Sequence, residues 1–324
     1  MGRKTTVSQK LLLVFTLALS IGCLVWVLQD FEPEKLGGEI RHMHWGWVLA
    51  AAVFDILVYF LHGWRWSLLL RPVAKVPAMR AIRAIYVGLF ANEVLPLRTG
   101  EIIRCYLMGR WSGLPFSVTI SSAIIERVFD GLWLVICLFA STYVAEVQPI
   151  YVHMGQVLLG LVILAGALLG AAMFFKTQTH AAFSGNKYLE KVAILLEDLY
   201  IMGHSRYLYF SAIASLPYLL LQVLPIYFLA QAYGIDLAVG QAFVVMVILR
   251  LVAVVPQAPG NLGTFQAAAV VALMTFGIDD GVAKRFSFVM WAIITLPLLV
   301  VGFIALAITG IGLSELTQRA KQAQ

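Results

Sequence analysis

Six long apolar segments constrain the fold of this chain more than any other feature. They run from Leu11 to Leu28, Trp45 to Leu70, Ser117 to Val144, Val152 to Phe175, Leu208 to Tyr233 and Phe286 to Ile311. About 20 helical residues cross the ~30 Å hydrocarbon core of a bilayer. Because 61% of the residues are hydrophobic and only 12% are charged, a soluble core with a polar coat is excluded. The sequence predicts an all-α integral membrane protein with six full transmembrane helices in one polytopic domain, residues 1–324.

Charges at the ends of these segments predict the topology. Arg3, Lys4 and Lys10 precede the first segment, and an acidic stretch from Asp30 to Glu39 follows it. Positive charge favours the cytoplasmic side, so the N-terminus is predicted to be cytoplasmic, and six crossings return the C-terminus there. A cleaved signal peptide is the alternative, but no small-x-small site precedes Gln29.

Two further apolar regions, residues 81–110 and 238–277, are interrupted near their middle. Each half is too short to cross a bilayer alone, so we predict two re-entrant helical hairpins that open to opposite faces. Pro, Gly and a polar residue recur in the same order at both breaks, which indicates an inverted repeat, with chance similarity as the alternative. The residues assigned to the breaks are Asn92, Pro96, Gly100, Pro259, Gly260, Asn261, Gly263 and Gln266.

A shorter segment, residues 187–202, has a different pattern. Its Leu, Val and Tyr residues share one helical face, and its Glu, Lys and Asp residues occupy the other. This predicts a cytoplasmic amphipathic helix that lies on the membrane or on the helical bundle. An ordinary soluble loop helix fits the same pattern.

Three strings carry a family resemblance: NEVLPLRTGEIIRCYL, IIERVFDGLW and VPQAPGNLGTFQAAAVVAL. In this order and at these separations, they resemble the bacterial and archaeal flippase-like family that includes the transmembrane domain of lysylphosphatidylglycerol synthase. The resemblance extends over roughly residues 11–311. It implies a cytoplasmic-membrane protein that translocates an anionic phospholipid or a lipid-linked sugar between leaflets. Many relatives have a glycine and a glutamate where this chain has Asn261 and Gln266, which removes a carboxylate that ion coupling there would need.

Charged residues within apolar surroundings form the candidate site. Each isolated charge would cost several kcal/mol in lipid, so the charges must face one another, water or a ligand. A phosphate headgroup needs fixed cations, and the planar guanidinium of arginine matches its oxygens. Ion pairs that only lock the first hairpin to the third transmembrane segment are the alternative. The predicted headgroup-binding residues are Arg98, Glu101, Arg104, Glu126, Arg127, Asp130 and Arg250.

The sequence shows no motif for catalysis or metal binding. Its six histidines form no HExxH pattern, and its three cysteines lie in apolar segments without metal-type spacing. We therefore predict no catalytic residue, no metal and no cofactor, and a protein that is not an enzyme. The expected partner is a membrane lipid, either an anionic phospholipid or a polyprenyl-linked sugar, and not nucleic acid. A lipid-modifying membrane enzyme, or a non-transporting scaffold for an envelope-synthesis enzyme, remains an alternative, and the oligomeric state is left open.

Overall fold

The structure, a computed structural model, describes residues 7–95, 99–144, 148–174, 187–254 and 258–322. All regular secondary structure within these ranges is helical. The α-helices, in chain order, are α1 (Val7–Leu28), α2 (Pro33–His42), α3 (Trp45–Leu70), α4 (Ala78–Val94), α5 (Gly100–Ser112), α6 (Phe116–Ser141), α7 (Pro149–Phe174), α8 (Lys187–Gly203), α9 (Arg206–Leu220), α10 (Val223–Tyr233), α11 (Val239–Val252), α12 (Thr264–Met274), α13 (Asp280–Ala307) and α14 (Leu313–Gln322).

Four helical stretches among the described residues are long and apolar enough to cross a membrane: α3, Pro149–Ala167 of α7, α9 with α10 (Arg206–Tyr233), and α13. A fifth is added if Val14–Leu28 and α2, which are bent by 80°, count as one span. Helix α6 has 26 residues but carries three charged side chains near its middle. The predicted all-helical, multi-pass architecture is therefore confirmed, whereas the structure gives four or five spans by these criteria and not six.

Large apolar side chains cover much of the outer surface. On α7, for example, Val157, Leu161, Ile163 and Leu164 are all exposed. A soluble monomer rarely exposes an apolar surface of this kind, because moving each such side chain out of water lowers the free energy. This outer surface is the one expected of helices that face lipid.

The first interrupted region forms the pair α4 and α5. The helices have 17 and 13 residues, which corresponds to about 25 and 20 Å of helix, so each is shorter than a full crossing. They are in close contact at two glycines: a Cβ on Gly100 would lie 1.9 Å from the carbonyl oxygen of Gly88. Across the break, the Oδ1 atom of Asn92 accepts a hydrogen bond from the Gly100 N–H group at 2.9 Å. That this pair enters and leaves by one face of the bilayer stays a prediction.

The second interrupted region forms the pair α11 and α12, of 14 and 11 residues. A short 3-10 helix, Pro259–Asn261, lies between them. The backbone is left-handed at Gly260, Asn261 and Gly263, with φ of 72°, 53° and 86°, so the chain turns sharply here. Gly263 also packs against α1, because a Cβ at this position would lie 2.0 Å from the carbonyl oxygen of Ser20. The re-entrant path and the inverted repeat remain predictions for this pair as well.

Apolar packing holds both pairs inside the bundle. Helices α4 and α5 share one apolar cluster with α3 and α13, and α11 and α12 share another with α10 and α13. Helix α8, predicted over residues 187–202, spans Lys187–Gly203 and packs on α6 and α7. There, Leu199 and Met202 are buried and Ser121 donates a hydrogen bond to the Leu195 carbonyl at 3.2 Å. The interrupted helices therefore lie against the long helices that carry the charged residues.

Candidate functional site

The centre of the candidate site is the carboxylate of Glu126 on α6, which is completely buried. Its Oε2 atom accepts a hydrogen bond from Arg104 of α5 at 2.8 Å, and its Oε1 atom accepts one from Arg65 of α3 at 3.0 Å. Both arginine side chains are at most 2% exposed. Three helices are thus joined at one carboxylate, and its charge is matched by two guanidinium groups.

Three further side chains connect these arginines on the more exposed side. Glu101 accepts hydrogen bonds from Arg104 at 2.8 Å and from Arg127 at 2.6 Å. Asp130 accepts one from Arg65 at 2.5 Å, and it forms a longer ion pair of 3.7 Å with Arg127. The side chains of Asp130, Glu101 and Arg127 are 21%, 35% and 53% exposed.

Together these contacts close a ring in which acidic and basic side chains alternate. The ring has three arginines and three carboxylates, so its formal net charge is zero. Each carboxylate contacts two guanidinium groups, and exposure rises from the buried side to the outer side. In order around the ring the residues are Glu126, Arg65, Asp130, Arg127, Glu101 and Arg104. We call these six residues the ionic ring.

Aromatic and hydroxyl groups fix the two buried arginines. The guanidinium of Arg104 lies over the Trp66 ring at 4.6 Å, and that of Arg65 lies over the Tyr218 ring at 4.9 Å. Arg65 also donates to the Ser215 hydroxyl at 2.7 Å. Cation–π contacts stabilise a desolvated guanidinium by roughly 2 kcal/mol, so these partners hold the arginines in defined orientations.

Helical spacing explains how the ring is built. Glu126 and Asp130 are four residues apart on α6, and Glu101 and Arg104 are three apart on α5, so each pair shares one helical face. Arg65 is not among the site residues predicted from the sequence, but the structure buries it fully. Its spacing of three from His62 was the available signal. The Nε2 atom of His62 lies 3.4 Å from Glu126.

The other predicted site residues lie outside the ionic ring. Arg250, on α11, is half-buried and interacts with Tyr59, Tyr218 and Asp130. Gln266 is buried, and its Oε1 atom caps α12 by accepting from the Gly263 N–H group at 2.7 Å. Predicted residues Pro96 and Arg98 lie outside the described residues.

The breaks of the two interrupted regions contact each other. The side-chain amide of Asn261 donates to the carboxylate of Glu93, the next-to-last residue of α4, at 3.5 Å. The 3-10 helix beginning at Pro259 packs on α4, and the Gly260 carbonyl accepts a hydrogen bond from Trp291 of α13 at 2.7 Å. The two interrupted pairs are therefore in direct contact.

Two surface cavities lie away from the ionic ring. One of about 430 Å³ is lined by α2 and the end of α10, including Glu39, His42 and Tyr233. The other, of about 350 Å³, is lined by the end of α3 and the following loop, including Arg71 and Lys75. Within the described part of the chain, no group of three His, Cys, Asp or Glu side chains could hold a metal ion.

Comparison with known proteins identifies the family. Residues 13–317 match the family model described as the lysylphosphatidylglycerol synthase TM region. The chain belongs to this family. The model of the lysylphosphatidylglycerol synthase TM family describes a transmembrane region, in agreement with the multi-pass helical fold of this chain.

The similarity to two archaeal relatives covers different shares of their own lengths. A "UPF0104 membrane protein" of Methanothermobacter thermautotrophicus is 21% identical over 84% of this chain and 86% of its own length. "Glycosyltransferase AglD" of Haloferax volcanii is 24% identical over 82% of this chain, but the match covers only 49% of that relative. No solved structure matches the chain.

Proposed function

We propose that this protein translocates a lipid with an anionic headgroup, either a phospholipid or a lipid-linked sugar, between the two leaflets of a bacterial or archaeal cytoplasmic membrane. Two findings about related proteins support the proposal. The family takes its name from a synthase of a modified phospholipid, and one relative is named as a glycosyltransferase. Both names concern membrane lipids or glycans, so a lipid is the substrate class that they favour. On the positive-inside rule, both termini are cytoplasmic.

The ionic ring is the observation that carries the proposal. A lipid phosphate in the membrane interior needs cationic partners throughout its passage, since an unpaired charge there is expensive. The ring supplies three arginines whose present partners are carboxylates. A phosphate carries the same sign of charge and accepts the same planar hydrogen bonds. It can therefore replace a carboxylate as the partner of an arginine.

Exchange of partners avoids the main energetic barrier. Removing one member of a buried ion pair costs about 3–5 kcal/mol, because the other charge remains unpaired. If a phosphate takes the position of Glu101 on Arg127, the arginine never lacks an anion. Arg127 is the first contact, because it is the most exposed member of the ring and its ion pair with Asp130 is the longest, at 3.7 Å. Arg104 follows, since it also contacts Glu101.

The interrupted helices provide the movement. Helix α5 begins directly after a break and carries Glu101 and Arg104. Helix α4 contacts the second break through Glu93 and Asn261. Half-helices that meet near the middle of the membrane are the moving parts expected of inverted-repeat transporters. A shift of α5 relative to α6 separates Glu101 from Arg127 and opens the ring on its exposed side.

Reconstitution tests the proposal. Purified protein in liposomes that contain fluorescent phosphatidylglycerol, or a fluorescent polyprenyl-phosphate sugar, is expected to expose inner-leaflet lipid to a membrane-impermeant quencher. Arg127→Ala should reduce this exchange at least tenfold while leaving the thermal unfolding temperature almost unchanged, because its ion pairs are largely exposed. Arg127→Lys should also impair exchange, since an ammonium cannot form the paired hydrogen bonds of a guanidinium.

The matched control is Arg319→Ala, which removes an exposed arginine from its ion pair with Glu315 on α14. This variant should exchange lipid at the wild-type rate. Equal exchange in wild type, Arg127→Ala and Arg319→Ala would refute a headgroup site at the ionic ring. If the wild-type protein does not accelerate exchange of either lipid, the translocation proposal itself is wrong.

A lipid-modifying enzyme is the second candidate, and the relative named as a glycosyltransferase favours it. The chain matches only 49% of that relative, so the transferase activity need not belong to the shared region. Mass spectrometry of the same liposomes distinguishes the two functions, because an enzyme changes the mass of the lipid and a transporter does not. Neither conversion nor exchange would favour a scaffold for an envelope-synthesis enzyme.

A further inference from the structure

Asp55 is a buried acidic residue in the middle of α3 without an ion pair. Its Oδ2 atom is shielded from solvent and has no hydrogen-bond partner, and no base in the described ranges lies at ion-pair distance from it. An ionised carboxylate in an apolar interior costs several kcal/mol unless it is paired. Binding a proton removes that cost.

Three titratable side chains interact electrostatically with Asp55. Tyr59 lies one helical turn further along α3, Tyr86 comes from α4, and Arg250 comes from α11. The Tyr86 hydroxyl donates to the Ile56 carbonyl at 2.6 Å, so its proton is already committed elsewhere. Among the described residues, Arg250 is the only cation that interacts electrostatically with Asp55.

Among the described residues, no carboxylate lies at ion-pair distance from Arg250, and Asp130 acts on it only at longer range. Its side chain is half-buried and interacts electrostatically with Tyr59 and Tyr218. Asp55 and Arg250 thus act on each other electrostatically without forming an ion pair. This differs from the ionic ring, in which all six charges are paired.

We infer that Asp55 binds the proton that accompanies an anionic lipid headgroup to Arg250. The inference rests on the proposed translocation and specifies its coupling. When Asp55 is protonated, it is neutral and leaves Arg250 free to bind a phosphate. When the headgroup leaves, Arg250 pairs with the carboxylate, and the proton passes from Asp55 to water. One proton and one negative charge then move together, so the step carries no net charge.

Infrared spectroscopy tests the proton site without any transport measurement. Protein in nanodiscs that contain phosphatidylglycerol should show the absorption band of a protonated carboxyl group at neutral pH. The band should shift when the aspartates carry a carbon isotope label, and it should disappear in Asp55→Asn. It should persist in the control Asp236→Asn, which changes an exposed aspartate in the loop before α11. The isotope shift needs no substitution, so it remains informative if Asp55→Asn fails to fold.

A pH gradient across liposomes tests the coupling. Wild-type exchange of phosphatidylglycerol should change several-fold with the direction of the gradient, and Asp55→Asn should lose this response. A wild-type spectrum without a labelled carboxyl band, or a band that survives in Asp55→Asn, overturns the inference even if lipid exchange occurs. A gradient response that persists in Asp55→Asn overturns the coupling. Absence of exchange in wild type refutes the proposed function, whereas the spectrum still decides whether Asp55 holds a proton.

Discussion

The guanidinium of Arg65 donates to the carboxylate of Glu126 at 3.0 Å, although 61 residues separate them in the chain. Both side chains are fully excluded from solvent. Their contact joins α3 to α6 at the buried side of the ionic ring, and Arg104 joins α5 to the same carboxylate. Glu126 is therefore the point at which three helices depend on one negative charge.

Loss of that charge should destabilise the protein strongly. We expect Glu126→Ala to lower the free energy of unfolding by about 3–5 kcal/mol, because two buried guanidinium groups lose a partner. Arg127→Ala should lower it by at most about 1 kcal/mol, since exposed ion pairs contribute little. Reversible unfolding in mixed micelles, followed by circular dichroism, measures both values. Equal losses for the two variants would contradict the graded burial of the ring.

A double-mutant cycle isolates the pair itself. Arg65→Ala with Glu126→Ala should cost less than the sum of the two single changes, because the double variant buries fewer unpaired charges. The same cycle on the exposed pair Arg319 and Glu315 is the control, and its interaction energy should be close to zero. Strict additivity at Arg65 and Glu126 would show that the two groups do not interact in the membrane.

Close backbone contacts at the breaks provide a second prediction. Gly100→Ala would place a methyl group 1.9 Å from the Gly88 carbonyl oxygen, and Gly263→Ala would place one 2.0 Å from that of Ser20. Gly263→Ala also carries backbone strain, since φ is 86° there. Because backbone atoms cannot move aside cheaply, each change should lower the unfolding temperature by several degrees, by analogy with overpacked cores.

Gly160→Ala is the matched control for these glycine variants. Gly160 lies on α7, and a Cβ there would meet no atom within 4 Å. Alanine favours a helix over glycine by about 1 kcal/mol, so this variant should be as stable as wild type or slightly more stable. Thermal unfolding monitored by intrinsic tryptophan fluorescence compares the three variants. Similar melting temperatures in all three would mean that neither break is as tightly packed as the structure describes.

The sequence predicted what depends on local pattern. Long apolar segments with charged ends predicted α3, α7 and α13, and Pro and Gly residues predicted the two breaks. Glu126 and Asp130 were recognised because they are charged residues within an apolar segment. These inferences need only the periodicity of one helix, and they do not depend on which helices are neighbours.

Tertiary contacts could not be predicted in this way. Arg65 was not among the predicted site residues, yet α3 packs so that it reaches Glu126 and Asp130 across the bundle. The partners of Arg250 could not be predicted either, since Tyr59 and Tyr218 come from α3 and α9. Gln266 was treated as a substitute for a glutamate, and the structure shows that it caps its own helix. In each case the partner depends on how distant segments pack, which periodicity does not specify.

The cap across the first break gives a third prediction. Asn92 accepts a hydrogen bond from Gly100, the first residue of α5, at 2.9 Å. Asn92→Ala should cost about 1 kcal/mol of stability, as is typical for loss of an N-terminal cap. Asn92→Asp should preserve stability, because it keeps the acceptor and adds a negative charge near the positive end of the helix dipole. Chemical unfolding measures both. A larger loss for Asn92→Asp than for Asn92→Ala would rule out the capping role.

The stability of helix α2 should depend on pH because of the hydrogen bonds that Glu39 accepts. Glu39 accepts hydrogen bonds from Arg285 at 2.8 Å and from the Tyr233 hydroxyl, and these bonds tether α2 to α13 and α10. Desolvation acts to raise the pKa of Glu39, but the bonds from Arg285 and Tyr233 outweigh it, so the pKa lies below its ordinary value. Because the folded pKa is depressed, the stabilisation is complete above the unfolded pKa of about 4.3 and is lost as pH falls through the folded pKa.

Hydrogen–deuterium exchange of residues 33–42 measures this tether. Protection of α2 in the wild type should be high at neutral pH and should fall as the solution is acidified below about pH 4. Glu39→Gln should reduce protection already at neutral pH and flatten its pH dependence, because a neutral amide is a weaker acceptor for Arg285 than a carboxylate. The control Glu34→Gln changes an exposed residue of the same helix and should behave as wild type. If Glu39→Gln and Glu34→Gln give the same protection at every pH, α2 is held by its apolar contacts, with Leu36 and Ile40 packed against Met43 and Val48, and not by the Glu39 carboxylate.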